Sequence, residues 1–354
     1  MTLIYFLLLL SVIIVIHEAG HLFAAKGFGV YCYEFSFGMG PVIWKKKKKE
    51  TQYSIRAIPI GGFVAMAGEQ DGDALYEDVE VPDDRRLTAK PWWQKIIIML
   101  AGVFMNFTLA YLIFTFVLLS MGGIRLSPEP VIESVIPGSP AEKAGMQAGD
   151  VITEVIWADG TSVRPETFLD IQSLTTEPDR ERTYVIQRGD QELKFEITPQ
   201  YYEEEDAWLA GIQGPSGTVQ EVNFGNCWYY GWYEMKQIVR LMLTMIGSLL
   251  RGRGLNQLSG PVGIYEATET YAALGFQSFM FLVAQISLNI GIFNLLPLPV
   301  LDGGQVVITL CEAIARRPLN EKVKTGIMAV CWVLLISLML YATWNDISRI
   351  FGGR

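Results

Sequence analysis

His17, Glu18 and His21 stand as H-E-A-G-H inside an apolar run, and these two histidines are the only ones in the chain. Histidines four apart on a helix share one face, so both rings reach one metal ion. The glutamate between them lies one residue's rotation off that face, close enough to handle a water on that metal. The preceding TLIYFLLLLSVIIVI is lipid-like sequence. An acid and two ligands at that depth are costly, so their default reading is functional. A catalytic zinc usually takes three protein ligands and keeps one position open. With no third histidine, a carboxylate must complete the set. Asp302 is the candidate, following Pro297 and Pro299, which interrupt a second apolar helix. A helix-terminal cap is the competing reading of that aspartate.

Positioning such a site needs membrane spans. Of the 354 residues 51% are hydrophobic, and their uneven spread points to spans plus a soluble insert. Four segments reach the roughly 20 apolar residues a bilayer requires. They run over about 3–25, 96–121, 276–296 and 327–341 with its flanks. The first lacks the basic start and small-residue cleavage site of a signal peptide, so it reads as a retained span. Lys45–Lys49, Lys90 and Lys95 lie between spans one and two, and Arg316, Arg317, Lys322 and Lys324 between spans three and four. The positive-inside rule puts both loops in the cytoplasm. The segment between spans two and three is then outside, and its 126–206 stretch holds 18 acidic against 6 basic residues. A further stretch, 228–250, carries Glu234, Lys236 and Arg240. An amphipathic helix at the interface is its cheaper reading, and a fifth span the alternative. The net charge of −9 argues against nucleic-acid binding. The four cysteines form no C-x-x-C and suggest neither a disulfide framework nor a thiolate zinc site.

Two segments read as β-structure. Alternation at VIESVI, DVITEVI, RTYVIQR and LKFEITP predicts a small soluble domain. Its stretch Ile136–Ile152 (IPGSPAEKAGMQAGDVI) resembles the strand–helix–strand signature of PDZ domains, which take peptides by strand addition. A spacer or steric gate is the alternative role. After the histidine span, Val42–Lys46 and Tyr53–Pro59 predict a β-hairpin with a lysine-rich turn, preceded by Gly38-Met39-Gly40. Open strand edges are unstable in lipid, so this hairpin must be buried against the spans or face a watery cavity. Its edge could hold a substrate extended, with Gly38 and Gly40 among the contacts.

The whole pattern resembles the site-two protease family of intramembrane zinc metalloproteases, and most closely the bacterial regulators of sigma-E type. The resemblance rests on H-E-A-G-H, the glycine-rich hairpin, Gly102–Phe107 (GVFMNF), the PDZ-like insert, Gly260–Ile264 (GPVGI) and the run from Asn294 to Asp302-Gly303. It implies that His17, His21 and Asp302 bind Zn2+ and that Glu18 is the general base. It implies that Asn289 and Asn294 hold the unwound substrate backbone, and that Asn106 lies near the site. Interhelical hydrogen bonding is the competing role for all three asparagines. Tandem-PDZ members exist, and this chain departs from them in having one.

The expectation is therefore a polytopic α-helical membrane protein of about four transmembrane helices. It has a cytoplasmic-side membrane-associated β-hairpin and one extracytoplasmic PDZ-like domain. The expected parts are 1–125 (membrane half with hairpin), 126–205 (PDZ-like), 206–275 (linker with interfacial helices) and 276–354 (membrane half with Asp302). As a zinc endopeptidase of a bacterial cytoplasmic membrane, it would work near the cytoplasmic side. The resemblance implies substrates that are single-pass membrane proteins, such as anti-sigma factors, and leftover signal peptides. A PDZ-bearing scaffold with a vestigial metal site is a weaker reading, given the intact ligand set. A transporter would need further ligand-rich spans, and none is visible.

Overall fold

The computed structural model describes residues 1–69, 76, 79–158, 160–174, 181–202, 207–250 and 259–351. It divides into two units: Met1–Ser120 with Gly225–Arg354, and Met121–Phe224.

In the first unit, four helices among the described residues are long and apolar enough to cross a membrane. They are α1 (Thr2–Gly27), α2 (Trp92–Met121), α7 (Phe276–Asn294) and α9 (Glu321–Phe351), the last with its apolar span at Lys322–Ser348. At 1.5 Å per residue even the 19 residues of α7 extend about 29 Å, near the thickness of a hydrocarbon core. Leu9 and Ile13 of α1, Ala110 and Phe114 of α2, and Leu282, Val283 and Ile286 of α7 form one apolar core. Backbones of α1 and α2 meet at Gly20, where a Cβ would fall 2.3 Å from the Ala101 carbonyl oxygen. Small residues at such crossings let helices approach without losing side-chain packing elsewhere.

Two further helices buttress this core. Helix α5 (Cys227–Leu250) covers the expected amphipathic stretch and buries Met235 and Ile238 in the same cluster. Its Gly231 sits against Thr115, whose Oγ1 would lie 2.2 Å from a Cβ there. Helix α6 (Pro261–Ala273) adds Ile264, Ala267 and Tyr271. Its first turn is capped from another helix, because the carboxylate of Asp346 on α9 accepts from the Gly260 and Gly263 N–H groups, both at 2.8 Å. This accounts for the Gly-Pro-x-Gly run. Pro261 suits a first helical position, and a Cβ on Gly263 would come within 3.0 Å of that carboxylate.

The hairpin is longer and more folded than the alternation predicts. Strands β1 (Cys32–Lys48) and β2 (Thr51–Met66) each bend midway. The first half of β1 pairs with the end of β2 (Glu34 opposite Ala65, Phe37 opposite Gly62) and also with its beginning (Glu34 opposite Gln52, Phe37 opposite Ile55). The second half of β1 pairs with that same beginning, Val42 opposite Arg56 and Lys48 opposite Thr51. The lateral order is thus 42–48, 51–56, 34–37, 62–66. Gly38 and Gly40, both at φ +83, make the bend, and a Cβ on Gly38 would fall 2.5 Å from the Ile58 carbonyl oxygen. Glu34, fully buried, ties the layers together by accepting from Ser54, Tyr76 and Arg56. Burial pushes its carboxyl up, and those hydrogen bonds outweigh the push, holding it below the usual carboxylate range.

The second unit is β-rich. Strands β5 (Val151–Trp157), β6 (Ser162–Val163), β7 (Arg182–Arg188) and β8 (Gln191–Ile197) form an antiparallel sheet in the order β6-β5-β7-β8. Its core holds Ile132, Ile152, Ile171, Tyr184, Ile186 and Ile197. A short helix, α3 (Pro140–Ala144), starts at Ser139, whose Oγ accepts from the Glu142 N–H. Beside it Asp150 accepts two hydrogen bonds from Arg188, at 2.7 and 2.8 Å, and one from the Gln147 N–H at 2.9 Å. Strands continue past the expected boundary at 205. Segment β11 (Ile212–Gln213) pairs with β4 (Ser134–Val135), and β12 (Val219–Glu221) pairs with β3 (Gly123–Arg125). Strands of two or three residues carry no readable alternation, so the sequence pattern stopped short of them.

Candidate metal centre

One face of α1 brings the two imidazoles together, their Nε2 atoms 3.2 Å apart and both rings buried. The turn between α7 and α8 (Asp302–Ala315) brings the third group. Pro297 and Pro299 end the first helix, and Asp302 begins the second. Gly303 and Gly304 let α8 fold back on that connection: a Cβ on either would fall within 2.3 Å of the Leu295 or Leu298 carbonyl oxygen. Asp302 Oδ2 consequently lies 3.2 Å from His17 Nε2 and 3.6 Å from His21 Nε2.

These atoms fit a zinc ion. Ligand atoms sharing a tetrahedral zinc at its usual bond lengths lie about 3.3–3.6 Å apart. Asp302 Oδ2 is buried and, among the described residues, receives no hydrogen bond, as expected of a lone pair reserved for a cation. His21 presents Nδ1 to the Ile98 carbonyl oxygen at 2.8 Å, which fixes its proton there and leaves Nε2 free. Space is kept open by Gly102 of α2. A Cβ there would fall 2.4 Å from His21 Nε2 and 2.7 Å from His17 Cε1.

Glu18, half-buried beside the ligands, lies against the last strand of the hairpin, where a Cβ on Gly62 would come 3.8 Å from Glu18 Cγ, an ordinary contact distance. Glycine at 62 answers to the strand pairing itself, since that Cβ would fall 2.7 Å from the Ser36 carbonyl oxygen.

A model of peptidase family M50 matches residues 5–338. The chain belongs to peptidase family M50. It is 31% identical to the zinc metalloprotease RasP of Bacillus licheniformis, over 99% of each chain. It is also 31% identical, again over 99% of each, to the regulator of sigma-W protease RasP of Bacillus subtilis. The RasP of Shouchella clausii is 30% identical, over 99% of this chain and 100% of its own. This M50 peptidase is thus a zinc metalloprotease of the site-2 type.

Other residues singled out in the sequence fall at varied distances from this centre. Asn106 of α2 is fully buried, its Nδ2 3.3 Å from His17 Nδ1. Asn289 and Asn294 are partly exposed on α7. Five positions apart, they point about 140° from each other and do not share a face. Asn294 falls on the side of Ser287 and Gly291, which meet Asn106, and Asn289 points away from it. Gly38 and Gly40 belong to the hairpin bend, where backbone geometry alone requires glycine. The sequence reading assigned no role to Gly102 or the Ile98 carbonyl in this M50 site. Gly102 was detectable: it stands one helical turn before Asn106, on the same face.

Proposed function

We propose that this M50 peptidase cleaves transmembrane segments of single-pass membrane proteins, with Glu18 as general base. One observation carries the reading: the ligand set is split between the apolar helix α1 and the turn that follows the apolar helix α7, with Glu18 beside it next to Gly62 of the hairpin. Zinc bound there supplies a Lewis acid that polarises a peptide carbonyl and acidifies water. Glu18 takes a proton from the attacking water and passes it to the leaving amine. Asn294, and Asn289 on a separate face, offer hydrogen bonds to backbone released when a substrate helix unwinds, a cost of several kcal/mol per group in lipid. The 62–66 strand, outermost among the described hairpin residues, offers an edge against which substrate lies extended.

Basic loops at Lys45–Lys49 and Arg316–Lys324 support a cytoplasmic placement of hairpin and α8 in a bacterial cell membrane. The acidic 126–206 stretch supports an outer placement of the β-rich unit. Its Ile136–Ile152 run and antiparallel sheet support a PDZ-like module that takes peptide or excludes bulky substrates. Similarity to the regulator of sigma-W protease of Bacillus subtilis supports anti-sigma factors as the substrate class.

The test is Glu18→Gln in proteoliposomes with a single-pass substrate. Zinc content should stay at the wild-type level while cleavage falls by about 10²-fold or more. Undiminished cleavage would remove Glu18 from the chemistry.

A further inference from the structure

The two histidines are oriented by different kinds of partner. His21 faces a backbone carbonyl, which only accepts, so its proton stays at Nδ1. His17 faces the carboxamide of Asn106, which has a donating end and an accepting end. Asn106 is fully buried, so its carboxamide faces protein groups alone. Its own backbone carbonyl accepts from Ser287 Oγ at 2.9 Å, which holds α2 to α7 at this level.

With Nδ2 toward His17, the amide donates to Nδ1 and the ring proton sits at Nε2. That proton faces His21 Nε2 at 3.2 Å, whose lone pair is free because the His21 proton sits at Nδ1. The resulting chain, Asn106 to His17 to His21, occupies the nitrogen that zinc needs. A half-turn of the carboxamide puts Oδ1 opposite Nδ1. Oδ1 is buried and has no hydrogen-bond partner among the described residues, so this half-turn exchanges only the bond to His17. The ring proton then moves to Nδ1 and Nε2 presents a lone pair beside Asp302. Carboxamide ends are interchangeable in shape, so the pocket accommodates both arrangements.

We propose that Asn106 is a positioning residue that switches the tautomer of His17 between a zinc-free and a zinc-ready form. It rests on the zinc centre alone and not on the identity of the substrate. Outer partners of this kind typically set metal affinity by 10–100-fold.

The experiment measures zinc affinity by chelator competition on the full chain in detergent. Asn106→Leu, which neither donates nor accepts, should bind zinc about 10–100-fold more weakly. Asn106→Asp, which accepts only, should bind at least as tightly as wild type. Because the chain has only two histidines, 15N-histidine NMR reads both rings directly. Chelated wild type should show one Nδ1–H ring and one Nε2–H ring, and chelated Asn106→Asp two Nδ1–H rings. The proposal is overturned by wild-type zinc affinity in a folded Asn106→Leu, or by equal loss in both variants. Two Nδ1–H rings in chelated wild type overturn it as well. A raised KM with unchanged zinc affinity would return Asn106 to substrate binding.

Discussion

At the scale of single residues, the metal centre depends as much on what is missing as on what is present. Gly102 contributes no side chain, and the space left by its absent Cβ is where His21 Nε2 and the Cε1 edge of His17 lie. Gly102→Ala should therefore weaken zinc binding by tenfold or more with the helices intact. Gly27→Ala, which meets nothing within 4 Å, should leave it unchanged. Equal zinc affinity in both variants would show that the space is not the ion's. That His17, His21 and Asp302 could come together was legible in the sequence because their side chains are of the types that ligate metal. The Ile98 carbonyl was not, because every residue owns such a group and only tertiary contact selects one.

At the scale of elements, the helices were read closely and the sheet was not. A run of apolar residues long enough to span a bilayer is unmistakable, and α1, α2, α7 and α9 occupy the stretches expected. The hairpin was visible as two alternating runs. Its second pairing, Glu34 against Gln52 on one side and Ala65 on the other, was not, because a strand pattern says which face is buried and not which edge is used. The Gly-Pro-x-Gly run was noticed without a reason, and Asp346, 86 residues from Gly260, supplies it. Losing a cap typically costs about 0.5–2 kcal/mol. Asp346→Ala should lower the thermal midpoint of the detergent-solubilised protein, and Asp346→Asn should lower it less. Matching midpoints for Asp346→Ala and wild type would remove the carboxylate from the role of cap.

At the scale of the whole molecule, the β-rich unit carries a response to acid of its own. In the β-rich unit burial pushes the Asp150 carboxyl up, but hydrogen bonds from Arg188 and the Gln147 N–H win, and it rests below its ordinary value of 3.8. A depressed carboxylate contributes stability that is fully present above the unfolded value and lost as pH falls through the folded one. Hydrogen exchange of 121–224 in the full chain should therefore quicken as pH drops below 3.8, after correction for intrinsic rates. Asp150→Asn should be weaker at neutral pH and lose that dependence. An unchanged acid response in the variant would assign it to other groups.

The pairing of β3 with β12 has a kinetic side. Once the β-rich unit folds, its two ends are held at strand spacing, about 5 Å. The chain leaving α2 then re-enters beside its own exit, as though the hundred or so residues between were a tight turn. Closing a loop of ~100 residues costs about 3 kcal/mol more than closing one of four. If the β-rich unit folds before α5 docks against Thr115, that cost is already met, and the inserted module would act as a clamp that shortens the search for the remaining helices.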